Sequence, residues 1–417
     1  MEIHIEKNLI KEFIGTKSGF ASALHSVLRD KNDPLLVNVS ANNAALERLF
    51  DLKKEVNLRA GSIGRSKEEA MTKAVGELVE RYCWVSYSPK ILFGSYAHLN
   101  KILNIKFEKL SEQLFSKKQY SEVGFIFAPL EKNTEISWIV GYNQFGEKTY
   151  LPAQFIIGRN IRKEGEQRIS FSTTNGCAAG VSKETAILRA IYEQIERDAF
   201  MQIWHKKISP KQVLIDDCEV KQFMNKFIPE FGLKYYLFDI TSDLGIPTFL
   251  SVCIDNYNER TKFVCGAATS LNPTEAAIKA LVEAAQSRIA IKRIALGKKA
   301  VSPEKIDNLD DNVRFYLDGH NYKYLNFLFN GGKVKLSDYK SKSRNTLSDI
   351  KKLTNILNKK KLTAIFFDLT AGEISSVGLY VVKCFILELA QLSLPSYPTL
   401  ANPRLAPLNN TMPHPFP

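Results

Sequence analysis

The sequence has few of the residues that build common metal and thiol sites. Its 417 residues include only six histidines and six cysteines. The cysteines are scattered, with no C-x-x-C pair and no histidine at metal-ligand spacing. This argues against a structural zinc site and against a disulfide framework. We therefore expect reduced, buried thiols.

The common nucleotide-binding loops are also missing. No G-x-x-x-x-G-K-[ST] stretch is present, and no G-x-G-x-x-G turn follows a predicted strand. P-loop and Rossmann sites are therefore excluded.

Long apolar runs are absent as well. Stretches such as Leu379–Leu387 are too short for a bilayer, which needs about 20 apolar residues. The amino terminus, M-E-I-H-I-E-K-N, has acidic residues where a signal peptide is basic and then apolar. These features predict a cytoplasmic protein that does not associate with membranes.

The composition is that of a globular protein, with 45% hydrophobic and 24% charged residues. The net charge of +13 is spread along the chain. Its densest lysine run, Lys351–Lys361, has the pattern of the solvated face of one helix. We therefore predict no nucleic-acid binding.

Helical and strand patterns alternate, which predicts a mixed α/β (α+β) fold. Ile136–Tyr142 and Thr149–Ile157 have strand character on either side of a turn at Phe145-Gly146. His205, at the end of a predicted helix, is expected to be structural. Further strands are predicted at Tyr235–Ile240, Thr248–Ile254, Phe263–Ala268, Ala364–Thr370 and Leu379–Ile386.

One pattern occurs three times and predicts internal pseudo-symmetry. S-K-E-E-A-M-T-K-A-V-G-E-L-V-E-R begins at Ser66, S-K-E-T-A-I-L-R-A-I-Y-E-Q-I-E-R at Ser182, and N-P-T-E-A-A-I-K-A-L-V-E-A-A-Q-S at Asn272. Each first residue is a good helix cap. A gapless alignment equates Ala70/Ala186/Ala276, Lys73/Arg189/Lys279, Ala74/Ala190/Ala280, Glu77/Glu193/Glu283 and Glu80/Glu196/Gln286.

The repeated glutamates predict a magnesium-nucleotide site. A single pair three residues apart is typical of a solvated helix face, but the alanines would let the three helices pack closely. Carboxylates that converge in this way need a compensating cation. Oxygen ligands without histidine or cysteine favour Mg²⁺ with phosphates. Five carboxylates are the predicted metal ligands: Glu77, Glu80, Glu193, Glu196 and Glu283.

This ordered set of motifs, with the stretch Asn175-Gly-Cys-Ala-Ala-Gly180 before the second helix, resembles the YcaO family over about residues 55–390. The resemblance implies an ATP-binding fold without a Walker motif, in which the glutamates hold Mg²⁺ around the phosphates. The family pattern differs at Ile63, at Lys73 and at Ile386–Leu389. The predicted nucleotide contacts are Ser172, Asn175, Arg81, Arg197, Gln286 and Arg288.

The carboxyl terminus narrows the resemblance to one branch. Seven of the sixteen prolines lie in residues 395–417, which disfavours a helix or an interior strand there. Asn409–Pro417 resembles the tail of the azoline-forming cyclodehydratases of thiazole/oxazole-modified microcin pathways. The resemblance implies that the tail reaches the active site, where the Pro417 carboxylate and Arg197 are the candidate catalytic groups.

The resemblance also implies a domain plan and partners. Residues 1–54 form an N-terminal segment, 55–394 the catalytic core and 395–417 the tail. A ribosomal precursor peptide is the expected substrate, its Cys, Ser or Thr forming thiazoline or oxazoline. Expected partners are a leader-binding protein with a ubiquitin-activating-enzyme-like fold, a flavin-dependent dehydrogenase and a second copy of the chain. Thioamide formation and a catalytically weak nucleotide-binding scaffold are the alternatives.

Overall fold

A computed structural model of the chain describes residues 13–15, 20–43, 58, 60–228, 232–306, 309–340, 343 and 345–416. The fold is mixed, as predicted, with helices packed on sheets. The strands are β1 (Ala21–Val27), β2 (Val37–Asn43), β3 (Ala60–Gly64), β4 (Ile91–Ser95), β5 (Glu135–Asn143), β6 (Lys148–Pro152), β7 (Cys177–Gly180), β8 (Lys211–Leu214), β9 (Leu233–Asp239), β10 (Thr248–Asp255), β11 (Phe263–Thr269), β12 (Lys333–Lys335), β13 (Ala364–Asp368) and β14 (Tyr380–Ile386).

The helices carry the three repeated motifs at α1, α6 and α8. Short 3-10 segments lie at Pro303–Lys305, Gly319–Asn330, Leu336–Asp338 and Pro403–Leu405. The α-helices are α1 (Lys67–Ser86), α2 (Tyr96–Leu103), α3 (Phe107–Ser111), α4 (Lys117–Tyr120), α5 (Ala153–Ile156), α6 (Lys183–Lys206), α7 (Cys218–Phe227), α8 (Pro273–Gly297), α9 (Leu309–Phe315), α10 (Thr346–Lys359) and α11 (Gly372–Ser376).

The described strands form three sheets, and each sheet has one motif helix next to its terminal strand. The strand orders are β1-β2-β3, then β11-β10-β9-β8-β12, then β4-β5-β13-β14-β7 with β6 paired to β5. Strands β3, β7 and β11 each end their sheet, and the chain leaves each of them into α1, α6 or α8. The pseudo-symmetry is therefore visible as three strand-to-helix units.

The starts of these helices follow from their cap residues. The Ser66 hydroxyl accepts from the Glu69 N–H, and the Ser182 hydroxyl accepts from the Thr185 N–H. The Asn272 side chain likewise accepts from the first turn of α8. Such caps satisfy amides that have no partner within the helix.

Small residues allow the helices to lie close to their strands. The six aligned alanines are fully buried, as the motif predicted. Gly64 and Gly180 occupy equivalent places before α1 and α6. A Cβ atom at Gly64 would lie 2.7 Å from the Ala70 nitrogen, and one at Gly180 would lie 2.6 Å from the Ala186 nitrogen. No larger residue fits at these two turns without a backbone shift.

Two sequence predictions need correction. The strand predicted over Thr149–Ile157 ends at Pro152, and Ala153–Ile156 forms a helical turn. These four residues are buried, so their apolar pattern did not separate helix from strand. Five of the six reduced cysteines are buried as expected, but Cys218 at the start of α7 is exposed.

Described residues near both ends of the chain contact the predicted core. β1 and β2 come from the segment 1–54 and pair with β3 of the predicted core. Phe416, in the tail, is 1% exposed. Among the described residues, no helix has the length and apolar character that crossing a bilayer requires.

Candidate functional site

A cavity of about 950 Å³ lies where α1, α6 and α8 meet. The structure brings all five predicted metal ligands to its wall. Glu77 and Glu80 come from α1, Glu193 and Glu196 from α6, and Glu283 from α8. The cavity therefore joins the three repeats, although the sequence separates them by up to about two hundred residues.

The first glutamate of each repeat also caps the edge strand that leads into its own helix. Each accepts a hydrogen bond from a backbone group in that strand or immediately before it. Edge strands have unpaired amides that need such partners. The pairs are Gly61 with Glu77, Gly176 with Glu193, and Ala267 with Glu283.

The second glutamates differ from one another. The Glu80 Oε1 atom accepts from the Ala179 N–H at 2.7 Å, so α1 contacts the strand before α6. Glu196 is 7% exposed and lies 3.6 Å from the Arg197 guanidinium. Arg197 also approaches Glu193 at 3.5 Å. One arginine thus serves two carboxylates, and its Nε and Nη1 atoms make no hydrogen bond with described groups.

The cluster has too little positive charge for its carboxylates. Burial raises the pKa of Glu80 to about 8, and the charges of Glu193 and Glu77 add to this, while the Ala179 amide opposes it. Burial, with the charge of Glu193, raises the pKa of Glu283 to about 7 despite Arg197. Burial also raises the pKa of Glu196 well above its ordinary value, again against Arg197. The site accordingly fits cations that arrive with a ligand.

The carboxylates are spread around the cavity. No three carboxylate, imidazole or thiol groups of the described residues stand close enough to chelate one ion. Mg²⁺ is usually held by one or two carboxylates together with substrate phosphates and water. The spacing of the glutamates fits that mode of binding.

Three aligned cations also face the cavity, and the sequence analysis gave them no role. They are Lys73, Arg189 and Lys279. Lys279 pairs with Glu275 at 2.7 Å, Lys73 pairs with the equivalent Glu69, and Arg189 donates to the Ala179 carbonyl at 3.4 Å. The gapless alignment places all three at one position of the repeat, so the sequence could have predicted that they lie close to the glutamates.

Three predicted nucleotide contacts line the cavity: Arg81, Arg197 and Gln286. Arg81 is 2.5 Å from Glu77, and Gln286 donates to the Gly61 carbonyl at 2.6 Å. Arg81 is thus held by a glutamate of α1, and Gln286 by a backbone carbonyl of β3.

The other three predicted contacts lie outside the cavity lining. Arg288 forms buried ion pairs with Asp33 and Asp255 at 3.0 and 2.9 Å. Asn175 donates to the Leu392 carbonyl, and the Ser172 hydroxyl accepts from the Trp84 indole. This geometry gives no support to a nucleotide contact at Ser172, Asn175 or Arg288, and those roles stay predictions.

The proline-rich tail reaches the cavity wall. Pro415 and Phe416 line it, and the Phe416 ring packs on Phe200 and under the Arg197 guanidinium, 4.5 Å away. Pro417, the predicted catalytic carboxylate, lies outside the described residues. His205 bonds the Asn410 carbonyl at 2.9 Å, which supports its predicted structural role.

Beside the tail the cavity becomes apolar. Its wall there is formed by one edge of β11, the second half of α8 and the end of α9. This end has room for uncharged groups next to the acidic centre. The residues are Phe263, Val264, Ile291, Ile294, Val313 and Tyr316.

Comparisons with known proteins agree with this architecture. Residues 61–389 match the family described as YcaO cyclodehydratase, ATP- and Mg²⁺-binding. A heterocyclase in complex with substrate and cofactor aligns over 98% of this chain and 57% of its own, with a TM-score of 0.75 and 20% identity. YcaO from Methanopyrus kandleri bound with AMPPCP and Mg²⁺ aligns over 89% and 86%, with a TM-score of 0.60 and 16% identity.

A third similar structure is the E. coli microcin synthetase McbBCD complex with pro-MccB17 bound. It covers 97% of this chain and 99% of that one, with a TM-score of 0.65 and 16% identity. At these identities the likeness shows the fold.

Curated relatives match over shorter stretches. An uncharacterized protein of Methanothermobacter thermautotrophicus is 32% identical over 163 residues, which is 37% of this chain and 42% of that protein. A protein from the tfuA 3′ region of Rhizobium leguminosarum bv. trifolii is 32% identical over 189 residues, or 42% and 44%. The chain spans less than half the length of these two relatives. The family match covers most of the chain, and the protein belongs to the YcaO family of ATP- and Mg²⁺-binding cyclodehydratases.

Proposed function

We propose that this protein is an ATP-dependent peptide cyclodehydratase that acts in the cytoplasm. Its substrate is a ribosomal precursor peptide whose Cys, Ser or Thr residues become thiazoline or oxazoline. The observation that carries the proposal is the set of five glutamates from three pseudo-symmetric helices that face one cavity with too few countercharges.

In this proposal Mg²⁺ is held by the five glutamates together with phosphate oxygens of ATP. ATP supplies the phosphoryl group that makes the peptide amide oxygen a good leaving group. Arg81, Arg197 and Gln286 face the phosphates from the same walls. The cations Lys73, Arg189 and Lys279 lie at the matching position of each helix and add positive charge.

The peptide chemistry needs a thiol or hydroxyl of the substrate to add to the preceding amide carbon. The thiol or hydroxyl loses its proton as it adds, and the amide oxygen would take the phosphoryl group from ATP, which leaves as ADP. Loss of that oxygen as phosphate and of the proton from the amide nitrogen then leaves a ring C=N bond. The tail is suited to proton transfer because Phe416 anchors it beside Arg197. We assign that transfer to the Pro417 carboxylate, with Arg197 orienting it. The apolar end of the cavity offers space for the peptide next to this anchor.

One similar structure is a heterocyclase in complex with substrate and cofactor, and another is the E. coli microcin synthetase McbBCD complex with pro-MccB17 bound. They support a peptide substrate and partner proteins for this chain. We propose a leader-binding partner with a ubiquitin-activating-enzyme-like fold. We also propose a flavin-dependent dehydrogenase as a partner and a homodimer of this chain.

Mass spectrometry tests the function. The chain is incubated with Mg²⁺, ATP, the leader-binding partner and a Cys/Ser/Thr-rich precursor encoded beside it. The expected product has lost the mass of one water per modified residue, with release of ADP and phosphate. Replacement of oxygen by sulfur would select thioamide formation. ATP binding without any peptide modification would select the scaffold alternative.

A further inference from the structure

Lys383 is a buried charge in the middle of an apolar strand. It lies on β14, between Val382 and Cys384, and is 1% exposed. Among the residues that the structure describes, no carboxylate lies within ion-pair distance of its Nζ atom. A lysine in such a place costs stability, because burial disfavours the ammonium ion. Burial lowers the pKa of Lys383 to about 8, and the charge of Glu193 opposes this.

The ammonium group binds the loop that leads into β7. It donates to the Thr173 carbonyl and, at 3.3 Å, to the Ser172 hydroxyl. The same hydroxyl accepts from the Trp84 indole N–H at 2.9 Å. Lys383 therefore ties β14, the loop and α1 together at one point.

The loop that Lys383 holds is part of the candidate ATP site. Thr174 and Cys177 line the large cavity on either side of Gly176, whose backbone is hydrogen-bonded to Glu193. Gly176 has a φ of +71°, and a Cβ atom there would lie 2.2 Å from the Cys384 carbonyl oxygen. The Cys384 N–H donates to the Gly176 carbonyl at 2.8 Å. Residues 383 and 384 thus fix the loop at both of its ends.

A separate ligand for Lys383 does not fit. The small cavity beside it, lined also by Asn175 and Ser393, has a volume of about 30 Å³, which holds water but is far too small for a substrate. The group therefore acts on the loop and on Glu193 and not on a second substrate.

We propose that Lys383 is a positioning residue for the nucleotide site. It holds Ser172–Gly176 against β14, which presents the Gly176 backbone to Glu193. This inference rests on the proposed ATP-dependent function, because the loop matters only if the cavity binds Mg²⁺ and ATP.

The test compares Lys383→Met, which fills a similar volume without charge, with Lys383→Arg, which keeps the charge and the donors. Lys148→Met, at an exposed strand position of the same sheet, is the matched control. Binding of a non-hydrolysable ATP analogue with Mg²⁺ is measured by calorimetry, and unfolding is measured by thermal melts. We expect Lys383→Met to weaken binding about tenfold, the size of one charge-assisted hydrogen bond, with an equal or higher melting temperature. Arginine should restore part of the affinity.

The outcomes separate this inference from the proposed function. No analogue binding by the wild-type chain would overturn the ATP site itself. Equal binding by the wild type and Lys383→Met would overturn the inference alone. A Lys383→Met chain that melts earlier or fails to fold, without rescue by arginine, would show a structural role and would also overturn it.

Discussion

Two arginines that were both predicted to contact the nucleotide occupy opposite electrostatic settings. Arg288 on α8 lies between Asp33 and Asp255, at 3.0 and 2.9 Å. Lys292 joins the same network through Asp33 and Asp30. Cations and carboxylates are nearly balanced there. Arg197 on α6 stands instead among Glu193 and Glu196 of its own helix and Glu283 of α8.

The pKa shifts report the difference. Burial alone raises the pKa of Asp33, but hydrogen bonds from Asp30 and Lys292, with the charges of Lys292 and Arg288, lower it below its ordinary value. The pKa of Glu196 stays well above its ordinary value because burial outweighs Arg197. The network around Arg288 pairs its own charges and serves the fold. The network around Arg197 has too few cations and is suited to a ligand that brings metal ions.

The largest expected effect comes from the unbalanced network. Glu196→Gln keeps the shape of the side chain but removes one charge from the cluster. We expect ATP consumption to fall by at least about a hundredfold, because Mg²⁺ and phosphate lose a carboxylate partner. The melting temperature should not fall, since a buried charge with incomplete compensation is removed. Release of ADP and thermal melts measure the two effects.

Glu184→Gln, an exposed position on the same helix, is the control and should behave like the wild type. ATP consumption that survives in Glu196→Gln would remove Glu196 from the metal site. A large loss of stability in Glu196→Gln would mean that Glu196, like Asp33, mainly stabilises the fold.

The balanced network should respond in the opposite way. Arg288→Met leaves Asp255 buried without its ion-pair partner and leaves Asp33 with Lys292 alone. We expect a loss of about 3–5 kcal/mol in the free energy of unfolding. Affinity for the ATP analogue should stay near that of the wild type in protein that remains folded. Urea unfolding measures the first effect, with exposed Arg293→Met as control. If Arg288→Met instead loses its affinity for the ATP analogue and keeps the stability of the wild type, Arg288 contacts the nucleotide.

The sequence predicted the three helices and the meeting of their glutamates because caps, alanines and acidic positions repeat locally. It did not predict the ion pair of Arg288 with Asp33, which is 255 residues away in the sequence. No local pattern marks such a pair. The contacts of Ser172 could not be read from the sequence for a related reason, because its hydroxyl bonds Lys383 and Trp84, which belong to other elements.

The position of Lys383 could have been recognised from the sequence. A lysine stands alone within the apolar stretch Leu379–Leu387, where interior strands rarely contain an unpaired charge. The three aligned cations had a signal as well, since Lys73, Arg189 and Lys279 share one position in the repeat. The contribution of the tail could be inferred only by resemblance, because proline spacing shows stiffness and not the surface that the segment covers.

Shortening the tail tests the cavity without changing its charged groups, and we expect a smaller effect than for Glu196→Gln. Removal of Phe416 and Pro417 takes away the ring that packs on Arg197, but it leaves every glutamate in place. We expect cyclisation to fall about tenfold to a hundredfold through lost positioning, with a smaller change in affinity for the ATP analogue. Product formation and analogue binding are measured side by side. An equal loss in both, or in neither, would argue against a tail that serves the peptide step.

The smallest effects should come from the aligned cations, and their ranking tests the pseudo-symmetry. Lys73 and Lys279 are more than one third exposed and pair with glutamates on their own helices, so solvent weakens their fields at the cavity. Arg189 is deeper, and burial lowers its pKa. We therefore expect Arg189→Met to reduce affinity for the ATP analogue by about tenfold, and Lys73→Met and Lys279→Met by only a few-fold. Titrations at low and high salt measure this, and the lysine effects should shrink more as salt rises. Equal effects at all three positions would mean that the ligand sits on the pseudo-symmetry axis, whereas no effect at Arg189 would place the phosphates away from α6.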